Sequence, residues 1–89
     1  MKLQTLLADV PHKGPALDPE ITAVVYDSRK AGPGALFVCL PGERADGHDY
    51  APAAYQAGCR AFLAQRALNL PADAAQVLVP DSRSALALV

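Results

Sequence analysis

Two short polar segments of this 89-residue chain carry the side chains best suited to hold a ligand. Tyr26–Lys30 offers an aromatic ring, a carboxylate, a hydroxyl and two cations, and Glu43–Asp49 offers three carboxylates, an arginine and a histidine. Hydroxyl and guanidinium groups donate hydrogen bonds to the oxygens of an anionic ligand, so a few of them suffice for recognition. The residue types therefore indicate a small polar binding site.

Each of these side chains also has a purely structural interpretation. Asp27 can hydrogen-bond its own turn and pair with Arg29, and an exposed Arg44 is usually only solvated. Asp46 suits a turn, and a hydrogen bond at the start of a helix explains His48 better than metal binding or acid–base work. From the residue types alone, both interpretations stay open.

The two cysteines and the glycines do not suggest a catalytic centre. Cys39 lies inside an apolar run, where a thiol is typically inert, and no base is near Cys59 in the sequence. We expect both thiols to be reduced and buried. No G-x-x-x-x-G-K-[ST] phosphate loop occurs, and Gly32-Pro33-Gly34 precedes a strand rather than a helix, unlike a dinucleotide-binding motif.

The elements that must position the polar segments follow from the apolar pattern. The run Ala35–Leu40 is apolar without alternation, which predicts a strand covered on both faces. Asp49 and Asp81 are suitable N-caps, and Gly58 suits the left-handed position after a helix. The pattern predicts strands at Ile21–Tyr26, Ala35–Leu40, Ala61–Ala64 and Gln76–Val79, and helices at Lys2–Ala8, Tyr50–Ala57 and Ser82–Val89.

This succession predicts an α/β fold, with a small mixed or mostly parallel sheet of four to five strands and helices packed on it. Ligands of such sheets bind beyond the carboxyl ends of the strands, and both polar segments directly follow a predicted strand. If those two strands are neighbours, the segments form one site. We expect residues 1–89 to be one domain, and since the last helix has no end signal, a fragment of a longer polypeptide.

Charge and composition exclude several classes of partner. The formal net charge is −1 and the chain contains no Trp, so a nucleic-acid-binding role is not expected. No apolar run approaches the roughly 20 residues of a membrane span, and the N-terminus lacks the apolar block of a secretory signal. We therefore expect a cytoplasmic protein with neither a nucleic acid nor a membrane as partner.

Several motifs also follow one another in a characteristic order. They are Tyr26-Asp27-Ser28-Arg29-Lys30, Pro33-Gly34, Leu36-Phe37-Val38, Gly42, Asp46-Gly47-His48, Ala53-Ala54 and Gly58. The ordered set resembles the N-terminal domain of the Mur ligases. Within that family it looks closest to ligases that add the third amino acid to UDP-N-acetylmuramoyl-L-alanyl-D-glutamate (UDP-MurNAc-L-Ala-D-Glu), and ligases that add D-alanyl-D-alanine are similar.

The resemblance implies that the chain binds the UDP end of a UDP-MurNAc-peptide in peptidoglycan synthesis. The substrate-binding residues it implies are Tyr26, Ser28, Glu43, Arg44 and Ala45, with no catalytic residue and no metal ligand in the chain. ATP and Mg²⁺ would act in the central and C-terminal domains of the parent ligase, so the chain alone would be inactive. A non-catalytic α/β interaction module that has kept the fold and lost the ligand is the alternative.

Overall fold

The described part of the chain forms one four-stranded parallel sheet whose strands lie in chain order. The structure, a computed structural model, describes residues 1–14, 17–42 and 46–88. The α/β class is confirmed. The sheet is predicted to be mixed or mostly parallel with four to five strands, and the described residues form an all-parallel sheet of four. The strands are β1 (Ala23–Val25), β2 (Ala35–Val38), β3 (Ala61–Ala64) and β4 (Ala75–Leu78), and the helices are α1 (Leu3–Leu6), α2 (Ala51–Gln56) and α3 (Ser82–Leu88).

The two central strands are buried on both faces, as the unbroken apolar run of β2 predicted. One face of the sheet packs against α1 and α3, which contribute Leu3 and Ala85 to that core. On the opposite face, Phe37 and Phe62 meet edge to face with their ring centroids 6.2 Å apart, beneath the alanines of α2. Helices on both faces leave the ends of the strands as the place where polar loops gather.

Backbone contacts complete one outer edge of the sheet. The N–H of Lys13 donates to the carbonyl of Leu78 at 2.9 Å, and the N–H of Leu78 donates back at 3.1 Å. This antiparallel bridge covers the free side of β4. Strand β1 forms the other edge, where Val24 is exposed.

Two short 3₁₀ turns precede β2 and α2, at Ser28–Lys30 and at Gly47–Tyr50. The prediction that Asp49 is the N-cap at the start of α2 is wrong, because Asp49 lies inside the second turn. Asp46 is the capping residue, since its carboxylate accepts from the His48 N–H at 3.0 Å. The cap lies three residues earlier than predicted because the chain enters α2 through this turn rather than directly.

The other end signals agree with the structure. Gly58 follows α2 with φ +108°, in the left-handed region expected for it. Asp81 begins α3 by accepting from the N–H groups of Arg83 and Ser84 at 3.0 and 3.3 Å. Strand β1 is shorter than predicted and β4 begins one residue earlier, at Ala75. Residue 89, predicted as the end of the last helix, lies outside the described residues.

Candidate functional site

The two polar segments emerge from neighbouring strands at the same edge of the sheet. Strands β1 and β2 are parallel, with Val25 opposite Phe37, so their carboxyl ends lie side by side. The condition for a shared site is therefore met. Of the implied site residues, Tyr26 and Ser28 are described, whereas the predictions for Glu43, Arg44 and Ala45 fall outside the described residues.

Asp27 shapes the first segment. Its Oδ1 accepts from the Arg29 backbone N–H at 2.9 Å, and the Arg29 guanidinium donates to both carboxylate oxygens, with Nη2 2.8 Å from Oδ2. These hydrogen bonds from the side chain and backbone of Arg29 lower the pKa of Asp27 to about 2. The structural interpretation of this pair is thus correct, and Asp27 is ionised and already partnered.

A cleft of about 500 Å³ opens beside this turn, lined by Tyr26, Asp27, Ser28, Arg29 and Tyr50. Tyr26 is 64% exposed and Tyr50 46% exposed. Among the described residues, none hydrogen-bonds to the Ser28 hydroxyl or to the phenol of Tyr26 or Tyr50. We call Tyr26, Ser28 and Tyr50 the open cleft, because their rings and hydroxyls face space without partners in the described chain.

Sequence reasoning missed Tyr50 as a member of this cleft. Only the structure shows that Tyr50 occupies the N-cap position of α2, where small polar residues are favoured, and that it makes no capping hydrogen bond with its side chain. An exposed aromatic ring at such a position does not serve the helix.

The described part of the second polar segment, residues 46–49, is organised around His48, which is buried. Its Nδ1 lies 2.6 Å from Oδ1 of Asp46, and its Nε2 accepts from the Gln65 N–H at 2.9 Å. A carboxylate requires a donor and an amide requires an acceptor, so the two partners fix the neutral tautomer with the proton on Nδ1. His48 therefore has a structural role at the start of a helix, as the sequence predicts, with hydrogen bonds at both ring nitrogens.

The same set of hydrogen bonds reaches the start of α3. Oε1 of Gln65 accepts from the Ser82 N–H at 2.8 Å, and the buried Ser82 hydroxyl donates to the Cys39 carbonyl at 2.7 Å. Asp46, His48, Gln65 and Ser82, which we call the buried network after its two buried members His48 and Ser82, thus join the ends of β2 and β3 to α3. Gln65 and Ser82 carried no sequence signal, because the contacts that involve them lie far apart along the chain.

The carboxylate of Asp46 is the charged end of the buried network. Hydrogen bonds from the His48 backbone and ring, together with Arg66 at 2.9 Å, lower the pKa of Asp46 well below that of an ordinary carboxyl. Asp46 is therefore ionised and fully engaged within the chain. It is not free to receive a ligand.

Gly47 lets this segment approach β2 closely. Its N–H donates to the Leu40 carbonyl at 2.8 Å, and a Cβ on Gly47 would lie 2.6 Å from the Leu40 nitrogen. No residue larger than glycine fits there without a backbone shift. The turn chemistry expected of Asp46-Gly47 therefore includes a close approach of two backbones.

The two thiols are free and buried, as predicted. Burial raises the pKa of Cys39 to about 12, and burial likewise raises the pKa of Cys59. The Cys59 thiol donates to the Ala35 carbonyl at 3.1 Å. A protonated thiol in an apolar site is a poor nucleophile, so neither cysteine is poised for reaction.

Two further kinds of feature are absent from the described residues. These residues contain no group of three or more His, Cys, Asp or Glu side chains placed to hold a metal ion. Nor do those residues include a helix with the length and apolar character needed to cross a membrane.

A parallel sheet with helices on both faces and an open cleft at its carboxyl edge defines a small α/β fold. Comparison with known proteins shows which family of this fold class the chain belongs to. The family profile described as "Mur ligase family, catalytic domain" matches residues 20–88, which is most of the chain. The chain therefore belongs to the Mur ligase family.

Two named relatives match most or all of the chain. The UDP-N-acetylmuramoyl-L-alanyl-D-glutamate–2,6-diaminopimelate ligase of Geobacillus thermodenitrificans is 44% identical over 100% of this chain and 18% of its own length. The UDP-N-acetylmuramoyl-tripeptide–D-alanyl-D-alanine ligase of Mycobacterium leprae is 50% identical over 70% of this chain and 11% of its own length. The chain thus spans less than a fifth of either relative.

Solved structures of the family share the fold. MurF from Acinetobacter baumannii superposes with a TM-score of 0.82 at 29% identity, over 96% of this chain and 19% of that protein. The MurF ligase of Thermotoga maritima, solved in complex with ADP, gives a TM-score of 0.62 at 33% identity over 73% of this chain and 15% of that one.

Proposed function

We propose that this chain is the N-terminal, UDP-substrate-binding domain of an ATP-dependent ligase that adds the third amino acid to UDP-MurNAc-L-Ala-D-Glu. The open cleft is the observation that carries the proposal. It lies at the carboxyl edge of the sheet and is lined by exposed aromatic rings and by a hydroxyl that has no partner among the described residues. The ligases of G. thermodenitrificans and other bacteria, by their names, act on this substrate.

Binding in this proposal depends on a few donors rather than on a basic surface. Ser28 donates to an oxygen of the nucleotide and Tyr26 forms a wall of the site. Glu43, Arg44 and Ala45 contribute from the second polar segment, as the family resemblance implies. A chain of formal net charge −1 is compatible with this mode, because directed hydrogen bonds replace long-range attraction.

The ligation chemistry belongs to the other domains of the parent protein. The described residues do not fit a magnesium site, and the sequence has no phosphate loop for ATP. The T. maritima relative, solved with ADP, supports ATP as the energy source of the parent. We propose that the chain alone binds the substrate without converting it, and that the parent acts in the cytoplasm.

A second candidate is the corresponding domain of a ligase that adds D-alanyl-D-alanine. The M. leprae relative and the MurF structures favour it. Both kinds of substrate carry the same UDP-MurNAc group, so the open cleft suits either. The third candidate is an interaction module of the same fold that binds a protein instead of a nucleotide.

Nuclear magnetic resonance titration of the ¹⁵N-labelled chain with UDP-MurNAc-L-Ala-D-Glu tests the proposal. We expect amide shifts centred on Tyr26 and Ser28, and a Kd raised about 3- to 10-fold in the Ser28→Ala variant, since one neutral hydrogen bond is lost. Ser84→Ala is the matched control, because its hydroxyl bonds Asp81 on α3 and lies outside the cleft. Shifts confined to other surfaces, or none at saturation, would contradict the proposal and favour the interaction module.

The parent protein separates the first two candidates. A ligase of the first kind consumes ATP with UDP-MurNAc-L-Ala-D-Glu and a diamino acid. A ligase of the second kind requires the tripeptide precursor and D-alanyl-D-alanine. Release of inorganic phosphate with each substrate pair decides between them.

A further inference from the structure

We propose that Tyr50 is a further ligand-binding residue of the nucleotide site, with its ring packed against the planar base of the ligand. The inference rests on the proposed function and extends it to a residue outside the motifs that suggested it. Three observations support it: the partners of the three tyrosines, the backbone that holds Tyr50, and the chemistry of the cleft.

The three tyrosines of the chain divide into one that is structurally engaged and two that are not. The Tyr55 hydroxyl donates to Asp73 at 2.6 Å, and the Arg60 guanidinium lies 3.8 Å above the centre of the Tyr55 ring. Tyr26 and Tyr50 have no comparable partner among the described residues, and both line the open cleft. The exposure of Tyr50 is therefore not explained by a contact within the described chain.

The backbone around Tyr50 is held firmly on both sides. His48, two residues earlier, is anchored at both ring nitrogens, and Ala51, the next residue, is completely buried. The turn Ser28–Lys30 also contacts α2, which brings Tyr50 to the same cleft as Ser28. A ring presented on a fixed backbone loses little conformational freedom when a ligand packs on it.

The cleft combines the groups that a nucleotide requires. An aromatic face stacks on a planar heteroaromatic base, and such stacking tolerates an open, solvated site. The Ser28 hydroxyl can bond a polar edge of the ligand. The Arg29 guanidinium is highly exposed, and its Nη1 group makes no hydrogen bond to a described residue, so it can face an anionic group.

Titration of the chain and its variants with UDP tests the role of Tyr50. The chain has no Trp, so its intrinsic fluorescence comes from its three tyrosines and reports stacking of the base directly. We expect Tyr50→Leu to raise the Kd for UDP about tenfold and Tyr50→Phe to change it less than about twofold, since the ring face makes the contact. Tyr55→Phe is the matched control and leaves the Kd unchanged.

A ligand without a base shows which part of the nucleotide the ring contacts. Tyr50→Leu should weaken UMP binding and leave the affinity for ribose 5-phosphate unchanged. Equal losses for both ligands would overturn the inference, because the ring would then contact the sugar or phosphate. Nuclear Overhauser effects from uracil H5 and H6 to the Tyr50 ring in the wild-type chain provide a readout that needs no variant, and their absence at saturation would also overturn it.

The failure of this inference differs from the failure of the proposed function. If Ser28→Ala weakens UDP binding and Tyr50→Leu does not, the site is correct and the role of Tyr50 is wrong. If neither UDP nor UDP-MurNAc-L-Ala-D-Glu binds the wild-type chain, the proposed function itself is wrong.

Discussion

At the carboxyl edge of the sheet, the chain places two polar regions side by side. In the buried network, Asp46, His48, Gln65 and Ser82 bond to one another or to nearby backbone, and both nitrogens of the buried imidazole have partners. In the open cleft, two rings and three hydroxyls have no partner among the described residues, although Asp27 beside them is fully paired.

The difference shows that polar residues at strand ends do not by themselves identify a binding site. The buried network uses its hydrogen-bonding capacity to hold β2, β3 and α3 together, so it is expected to determine stability. The open cleft is expected to contribute little to folding, because its hydroxyls have no partner among the described residues. Matched substitutions in the two regions can therefore test this division of roles.

The largest difference is expected between His48→Ala and Tyr26→Ala. Removing the His48 ring leaves the Gln65 N–H without its acceptor and leaves a cavity, which should lower the free energy of unfolding by about 3 kcal/mol. Tyr26 is exposed, and its loss should change the free energy of unfolding by less than about 0.5 kcal/mol. Urea unfolding followed by circular dichroism measures both.

His48→Gln is the conservative control for the first change. Its amide oxygen can accept the Gln65 N–H near the position of Nε2, so it should recover part of the loss. Similar destabilisation by His48→Ala and Tyr26→Ala would contradict the division between the two regions.

The sheet was largely predictable because its signals are local and apolar. The unbroken run from Ala35 requires cover on both faces, and α1 follows directly from the spacing of Leu3, Leu6 and Leu7. Asp81 was identified as a cap because the residues that it bonds are its immediate neighbours. Where the determining contact lies within a few residues, sequence patterns suffice.

The cap of the turn that leads into α2 and the membership of the cleft depend on contacts between distant elements. Asp46 and Asp49 are equally good capping residues by type. The choice of Asp46 goes with a turn that Gly47 packs against Leu40. The bond between Ser82 and Cys39 spans 43 residues, and Tyr50 joins the cleft only because α2 contacts the turn at Ser28–Lys30. No local pattern contains this information.

A second comparison substitutes alanine for a glycine in each region. On Gly47, a Cβ would lie 2.6 Å from the nitrogen of Leu40 and 2.8 Å from its oxygen, so Gly47→Ala should cost about 2 kcal/mol in the free energy of unfolding. On Gly32, which follows the turn Ser28–Lys30 beside the open cleft, the nearest atom is the Ala57 oxygen at 3.9 Å. Gly32→Ala should be neutral or slightly stabilising, because it restricts the unfolded chain. Equal costs in thermal melts would contradict the close approach at Gly47.

The smallest expected effect concerns acid. The pKa values of Asp46 and Asp27 are both lowered in the folded chain, by His48 and Arg66 in one case and by Arg29 in the other. Each carboxylate therefore stabilises the fold fully above the ordinary carboxyl pKa of 3.8, and this stabilisation is lost as the pH falls below that value toward the folded pKa. Other aspartates with lowered pKa values contribute equally to the pH dependence of the wild-type chain and of each Asn variant. Their contributions therefore cancel when a variant is compared with the wild-type chain.

The urea concentration at the unfolding midpoint should fall as the pH is lowered from about 5 to about 2. We expect Asp46→Asn to reduce this fall more than Asp27→Asn does. The Asp46 carboxylate bonds a buried ring, whereas the Arg29 side chain that pairs with Asp27 is 88% exposed and is open to screening. Repeating the series in about 0.5 M NaCl should therefore reduce the contribution of Asp27 further and leave most of that of Asp46. If the two variants reduce the fall in urea midpoint equally at both salt concentrations, the Asp46 carboxylate is stabilised no more strongly than the carboxylate of the exposed Asp27–Arg29 pair.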